Sequence, residues 1–157
     1  MTGKVVIDTS TLVSAAIRPD SVPDRALTLA LKEGALCASA GVLEELQSVL
    51  GRSRFDAYVD LDSRLALMET IRSNAQFFVI PPLILEEVQG SCRDPRDDHI
   101  LALSLAAEAE IIVSSDHDLL VLKPWRGIPI LTPAQFLTRY SETHSPEAHS
   151  TEKGSMR

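Results

Sequence analysis

The chain has 157 residues, 45% hydrophobic but only 4% aromatic, with a formal net charge of −7 and a pI near 5.0. That length suits one domain with a core of Leu, Ile, Val and Ala, and the acidic balance excludes nucleic-acid binding through a broad basic surface, which rests on neutralised phosphates. An acidic site neutralised by metal ions is compatible with it, and no stretch approaches the roughly 20 apolar residues that span a bilayer.

Lys4–Ile7 is β-branched and predicts a buried strand. Asp8 stands where that strand stops, followed by the hydroxyls of Thr9, Ser10 and Thr11 before the apolar pattern resumes at Leu12. An Asp there caps the following helix. In open α/β folds it also occupies the place where ligands bind, beyond the carboxyl ends of the strands. Pro23–Lys32 predicts a helix, with Asp24 near its start and Gly34 as its stop. Leu36–Ala38 is a short strand, and Ser39 caps a helix through Leu50. On that helix Val42, Leu43, Leu46, Val49 and Leu50 form one apolar stripe. Glu45 falls at the edge of the stripe, roughly 40° from Val49, whereas Glu44 points away.

Gly51–Phe55 is a basic loop whose Arg52 and Arg54 are candidate contacts to phosphates, with a merely solvated loop as the plain alternative. Asp60–Ala75 predicts a helix, and Phe77–Ile80 a strand ended by Pro81 and Pro82. Pro95–Ala107 predicts another helix, apolar around most of its circumference. Its wheel puts Asp98 in the sector of Leu101, Ala102 and Leu105, and Asp97 toward Ser104 and Glu108 on the polar side. Asp98 is therefore the expected inward acid of the first turn, where unpaired N–H groups and the helix dipole favour an anion; a simple cap is the alternative. Ile111–Ser114 repeats the opening pattern, a β-branched strand, hydroxyls and then Asp116, with Asp118 two residues on. Ile128–Leu131 is the last strand, and Thr132 and Pro133 start a short helix to about Arg139. Strands alternating with helices imply a parallel sheet covered on both faces.

From Ser141 the sequence turns polar, so residues 1–140 are expected to form the domain and 141–157 a disordered tail. His144 and His149 in that tail are a weak metal motif. Cys37 and Cys92 lack CxxC spacing and read as reduced thiols of a cytosolic protein without a zinc site. No basic segment leads into a long apolar run at the start, so no signal peptide is expected.

Asp8, Glu45, Asp98 and Asp116 thus converge on one place. Buried carboxylates repel one another at a cost of several kcal/mol, so such a cluster usually needs a cation, and oxygen ligands suit Mg2+ or Mn2+. The segments "VVIDTSTLVSAAI", "LEELQSVLGRSRF", "DPRDDHILALSLAAEAEIIVSSDHDLL" and "GIPILTPAQFL" occur in the order found in the PIN domain family, which this sequence resembles from Val5 to Tyr140. That family comprises metal-dependent ribonucleases, often toxins of bacterial toxin–antitoxin pairs.

The resemblance implies a three-layer α/β/α fold with a central, mostly parallel sheet. By position it makes Asp8, Glu45, Asp98 and Asp116 the catalytic acids. Asp8, Asp98 and Asp116 would hold Mg2+ or Mn2+, with Glu45 binding or orienting a metal-bound water. Ser10 stands where the family commonly has Asn, and Ser114 where it often has Thr; both keep a small hydrogen-bonding side chain in a supporting place. The resemblance further implies cleavage of single-stranded RNA to 5′-phosphate and 3′-hydroxyl ends, a cognate antitoxin, a homodimer and a cytoplasmic setting. His99 and His117 are neighbours of the acids rather than catalysts, since this chemistry needs no histidine. One alternative is a PIN-like interaction module that has lost catalysis, against which the retained acids argue. Another is a phosphatase like the haloacid dehalogenases with Asp8 as nucleophile, against which Ser10 argues, because those enzymes carry a second Asp there.

Overall fold

Residues 3–143 are described in the computed structural model of the chain. Strands β1 (Val5–Ile7), β4 (Ile111–Val113) and β5 (Ile130–Leu131) pair in the order β1-β4-β5. Strands β2 (Cys37–Ala38) and β3 (Gln76–Phe77) pair with each other, and a parallel bridge between Val5 and Leu36 joins β1 to the segment leading into β2. Every strand pairing is parallel. Read across, the order is β3-β2-β1-β4-β5, so the chain winds outward in one direction from β1 and in the other from β4. A crevice opens beyond the carboxyl ends of strands at such a reversal. Asp8 and Ser114 are the residues that follow β1 and β4 there.

The two-residue alternation of a strand sorts the core into two layers. Val5, Ile7 and Val113 face one side, packed with Leu12 of α1 (Thr9–Ile17), Leu27 of α2 (Val22–Lys32), Leu46 of α3 (Ala40–Leu50), Met68 of α4 (Leu61–Asn74) and Phe136 of α8 (Pro133–Thr143). Val6, Ile112 and Ile130 face the other, packed with Val88 of α5 (Pro82–Val88), Leu101 and Leu103 of α6 (Asp98–Ala107) and Leu119 of α7 (His117–Leu120). The result is the expected α/β/α arrangement. Among the described residues no helix is long and apolar enough to cross a membrane.

Local boundaries follow side-chain caps. Asp8, Ser21, Ser39 and Asp60 each accept a backbone N–H in the first turn of the helix they precede. Four expectations change. The strand expected over Phe77–Ile80 is Gln76–Phe77, after which the chain leaves the sheet with Val79 91% exposed. Pro81 and Pro82, expected as terminators, instead cap and begin α5, since a first-turn proline has no helical N–H to lose and a preset φ. The helix expected over Pro95–Ala107 is broken: Pro95–Asp97 form a 3-10 turn and the α-helix starts at Asp98. At the far end α8 continues past Arg139, so Ser141–Thr143 of the expected tail are helical. The rest of that tail, with His144 and His149, lies outside the described residues.

One buried cation organises the loop between α3 and α4. Arg64 is fully buried. Its guanidinium donates to the carbonyls of Leu50 at 2.6 Å, Arg52 at 3.0 Å and Val59 at 3.1 Å, and it pairs with Asp56. It thereby satisfies the open C-terminal end of α3, where a positive charge also meets the negative end of the helix dipole. Arg64→Ala should lower the unfolding free energy by about 3 kcal/mol or more in urea titration, because it leaves several carbonyls unpaired around a cavity. Arg72→Ala, which removes an exposed pair with Glu69, should change it by no more than about 0.5 kcal/mol.

Candidate active site

The crevice is built around Asp8, which is 1% exposed. Its Oδ1 accepts from the Thr11 N–H at 2.9 Å as the cap of α1. Its Oδ2 accepts from the Ser114 hydroxyl at 2.5 Å and the Ser10 hydroxyl at 3.2 Å. Burial pushes the Asp8 carboxyl above its ordinary range, and these donors pull in the opposite direction without cancelling the effect. Ser114 also accepts from the Asp116 N–H at 2.9 Å, and Thr11 Oγ1 accepts from the Ser115 N–H at 3.2 Å. Two hydroxyls therefore sew the end of β1 to the end of β4. Asp116 caps α7 by accepting from the Asp118 N–H at 2.9 Å.

Asp97 faces Asp116 across the crevice from the 3-10 turn. Burial, a hydrogen bond to Asp116 and the negative charges of Asp116, Asp94 and Asp8 push its carboxyl up to about 7. Asp97 therefore keeps its proton well above the ordinary carboxylate range. Glu45, half-buried on α3, lines the same cavity of about 250 Å3 with Ser10, Asp94, Asp97 and Asp116, whereas Glu44 is exposed. Arg52, Arg54 and Arg96 line it too. Arg96 is held by Asp94, with Nη2 to Oδ2 at 2.9 Å.

Asp98 goes elsewhere. It is buried, as expected of the inward acid, but its Oδ2 accepts from the Gly90 N–H at 3.0 Å and its Oδ1 from the Cys92 N–H at 3.1 Å. It fixes the turn after α5, on the far side of the 3-10 turn from the cavity's acids. The helical wheel finds the buried acid, Asp98, but not the cavity-lining one, because Asp97 precedes the first α-helical residue and lies in the 3-10 turn. Asp94 and Arg96 were also missed. The Asp94–Pro95 dipeptide was the available signal, since an Asp before Pro starts a turn through its own side chain; here Asp94 accepts from the Arg96 N–H at 3.0 Å. Cys37 and Cys92 are both free and buried.

The carboxylates and hydroxyls are hard oxygen donors of the kind that hold Mg2+ or Mn2+. Among the described residues no three Asp, Glu, His or Cys side chains stand gathered as a finished metal cage. The donor types and the crowding of negative charge nevertheless fit a hard dication, which would take the place of the proton on Asp97.

Comparison with known proteins agrees with the geometry. A family model described as a PIN domain matches residues 4–118, a span that includes every acid named above. An uncharacterized protein of Methanocaldococcus jannaschii, MJ1680, is 27% identical over 148 residues, covering 88% of this chain and 92% of that one. The crystal structure of PAE2754 from Pyrobaculum aerophilum shares the fold with a TM-score of 0.61 at 17% identity, covering 88% of this chain and 90% of that one. A chain of VapBC2 from Rickettsia felis, solved bound to a DNA fragment from their promoter, shares it with a TM-score of 0.53 at 19% identity, covering 81% of this chain and 96% of that one.

The raised Asp97 carboxyl gives a pH signature. With its folded-state pKa raised from 3.8 to about 7, Asp97 contributes stability that is fully present below the unfolded value and is lost as pH rises toward 7. In metal-free buffer the melting temperature of wild type relative to Asp97→Asn should therefore fall between about pH 4 and pH 7 and level off above. A difference that stays flat over that window would show that the Asp97 carboxyl is not raised.

Proposed function

This chain belongs to the PIN domain family, and from that membership and the acid cleft we propose that it is a metal-dependent endonuclease of single-stranded RNA. PIN domains are generally nucleases that use divalent metals. The observation that carries the reading is the cleft itself: Glu45, Asp97 and Asp116 line one cavity beyond the ends of β1 and β4, with arginines around them, and Ser114 ties the buried Asp8 to the same edge.

We assign Asp8, Asp97 and Asp116 as the residues that would hold Mg2+ or Mn2+, with Asp97 in the place that the sequence reading gave to Asp98. Such an ion supplies a water of lowered pKa and stabilises charge on the phosphoryl oxygens during in-line attack. The chain's own residues do the rest. The Ser114 and Ser10 hydroxyls fix the plane of the Asp8 carboxylate. Asp97 gives up its proton to open the site. The Glu45 carboxylate stands ready to accept a hydrogen bond from the attacking water and orient it. The guanidinium groups of Arg52, Arg54 and Arg96 meet substrate phosphates, with Asp94 holding Arg96 in place. Asp98 is a positioning residue that holds the Gly90–Cys92 turn.

The biological role follows as part of the same proposal. The resemblance to toxin ribonucleases and the likeness in fold to a VapBC2 chain support a toxin whose partner is an antitoxin protein, acting in the cytoplasm as a homodimer. The catalytic unit is residues 1–140, although α8 crosses that boundary.

Single-turnover cleavage of single-stranded RNA with Mn2+, alongside melting curves, tests the assignment. Asp97→Asn and Glu45→Gln should each lose at least about 100-fold in rate, since even the outer partners of a metal site cost 10- to 100-fold, while Glu44→Gln should cleave like wild type. Asp98→Asn should cleave normally per folded molecule but lose about 1–3 kcal/mol of stability, from weakened bonds to two backbone N–H groups. Loss of cleavage in Asp98→Asn with none in Asp97→Asn would return the third acid to Asp98. A folded wild type that cleaves nothing would favour the interaction module.

A further inference from the structure

The loop between α3 and α4 lines two cavities, and only one of them belongs to the acid cleft. Arg54 is common to both. The second cavity, of about 270 Å3, is walled by Ile17, Arg18, Arg54, Phe55 and Tyr58. Its composition is the reverse of the first: two guanidinium groups, two aromatic rings and no carboxylate, on a chain whose net charge is −7. Phe55 is buried, with the Arg54 guanidinium 4.8 Å from the centre of its ring, whereas Tyr58 is 64% exposed. An exposed aromatic ring beside paired arginines is the combination that holds a single nucleic-acid strand, the ring stacking on a base and the arginines meeting phosphates.

The loop that carries these groups is held in advance. Arg64 binds the carbonyls of Arg52 and Val59 from inside, at either end of the segment that presents Arg54, Phe55 and Tyr58. A surface fixed before binding spends less affinity on ordering itself. A buried guanidinium is costly to desolvate, and this one is committed to shaping a loop whose outer side is arginine and tyrosine.

We propose that this second cavity is a nucleotide subsite, which receives the nucleotide next to the scissile bond of a single-stranded RNA. The base rests on Tyr58, and the flanking phosphate lies between Arg18 and Arg54, so that Arg54 joins the subsite to the cleft. The proposal rests on the nuclease reading for the identity of the strand, but its evidence comes from a different set of residues.

The test is equilibrium binding of a 3′-fluorescein-labelled single-stranded RNA dodecamer to the full chain, read by anisotropy with Ca2+ over a range of salt. Melting curves of each variant verify folding. Tyr58→Ala should weaken binding about tenfold, the scale of one base–aromatic stack, and leave the salt dependence unchanged; Tyr58→Phe should bind like wild type. Arg18→Gln should weaken binding and reduce the slope of log affinity against log salt by about 0.7, the value for one lost contact to a single-strand phosphate. Wild-type affinity in Tyr58→Ala, or a wild type that fails to bind the RNA, would overturn the subsite. The expected binding pattern in a protein that cleaves nothing with Mn2+ would instead overturn the nuclease reading and leave the subsite standing.

Discussion

A carboxylate with almost no access to water is unstable unless donors surround it, and Asp8 is the group on which this structure solves that problem. The donors come from two distant stretches of sequence: Thr11 N–H and Ser10 from the start of α1, and Ser114 from the end of β4. Because Ser114 also accepts the Asp116 N–H, satisfying Asp8 sets the position of Asp116. The pairing of β1 with β4 and the placement of two site acids are one arrangement. A shift of register by one residue would turn Val113 and Ile112 to the wrong faces and would separate Ser114 from Asp8 in the same step.

That coupling explains why part of the site is legible in sequence. Asp8 directly follows one β-branched run and Asp116 follows another after two serines, so the strand pattern predicts that both stand at the same edge of a parallel sheet. Glu45 is legible for another reason: α3 is regular, and a wheel correctly sends Glu45 to the edge of its packed stripe and Glu44 to solvent. Asp97 is not legible by the same method because regularity fails there. The Pro95–Asp97 turn is 3-10, and the dihedral rotation that would place Asp97 on the polar side of a helix does not apply. The inward acid that the wheel finds, Asp98, is truly inward, yet its partners are backbone N–H groups of a turn that no periodicity describes. Arg64 escaped for a similar reason. A charged residue in a mostly polar helix reads as exposed, and only the three-dimensional path of the neighbouring loop shows why it is buried.

The charges divide by depth. The acids sit deeper in the crevice, where their mutual repulsion raises the Asp97 carboxyl, while the exposed Arg52, Arg54 and Arg96 occupy the margin. Arg52 and Arg54 are exposed, as the plain reading of a solvated loop requires, and they also line the cavity. The two readings of "GRSRF" are therefore compatible. An acidic protein can approach a polyanion when its few cations are concentrated at the mouth of the site and its acids are neutralised within. Net charge alone is a poor guide to such a partner.

Two adjacent carboxylates take different places where the 3-10 turn passes into α6. In a continuous α-helix Asp97 and Asp98 would stand about 100° apart, Asp98 on the packed side and Asp97 toward the polar side. The change from 3-10 to α-helix at Asp98 lets them diverge, one to the cleft and one to the Gly90–Cys92 turn. Asp98 then anchors the chain on one side of the junction through two backbone bonds, while Asp94 anchors it on the other through Arg96. Asp97 lies between these two anchors, so the raised energy of its crowded carboxyl is borne by a segment fixed at both ends. A site acid strained by its neighbours needs that support, because a free turn would relieve the repulsion by swinging Asp97 out to solvent. The acid that stays out of the cleft is what allows the other to remain in it.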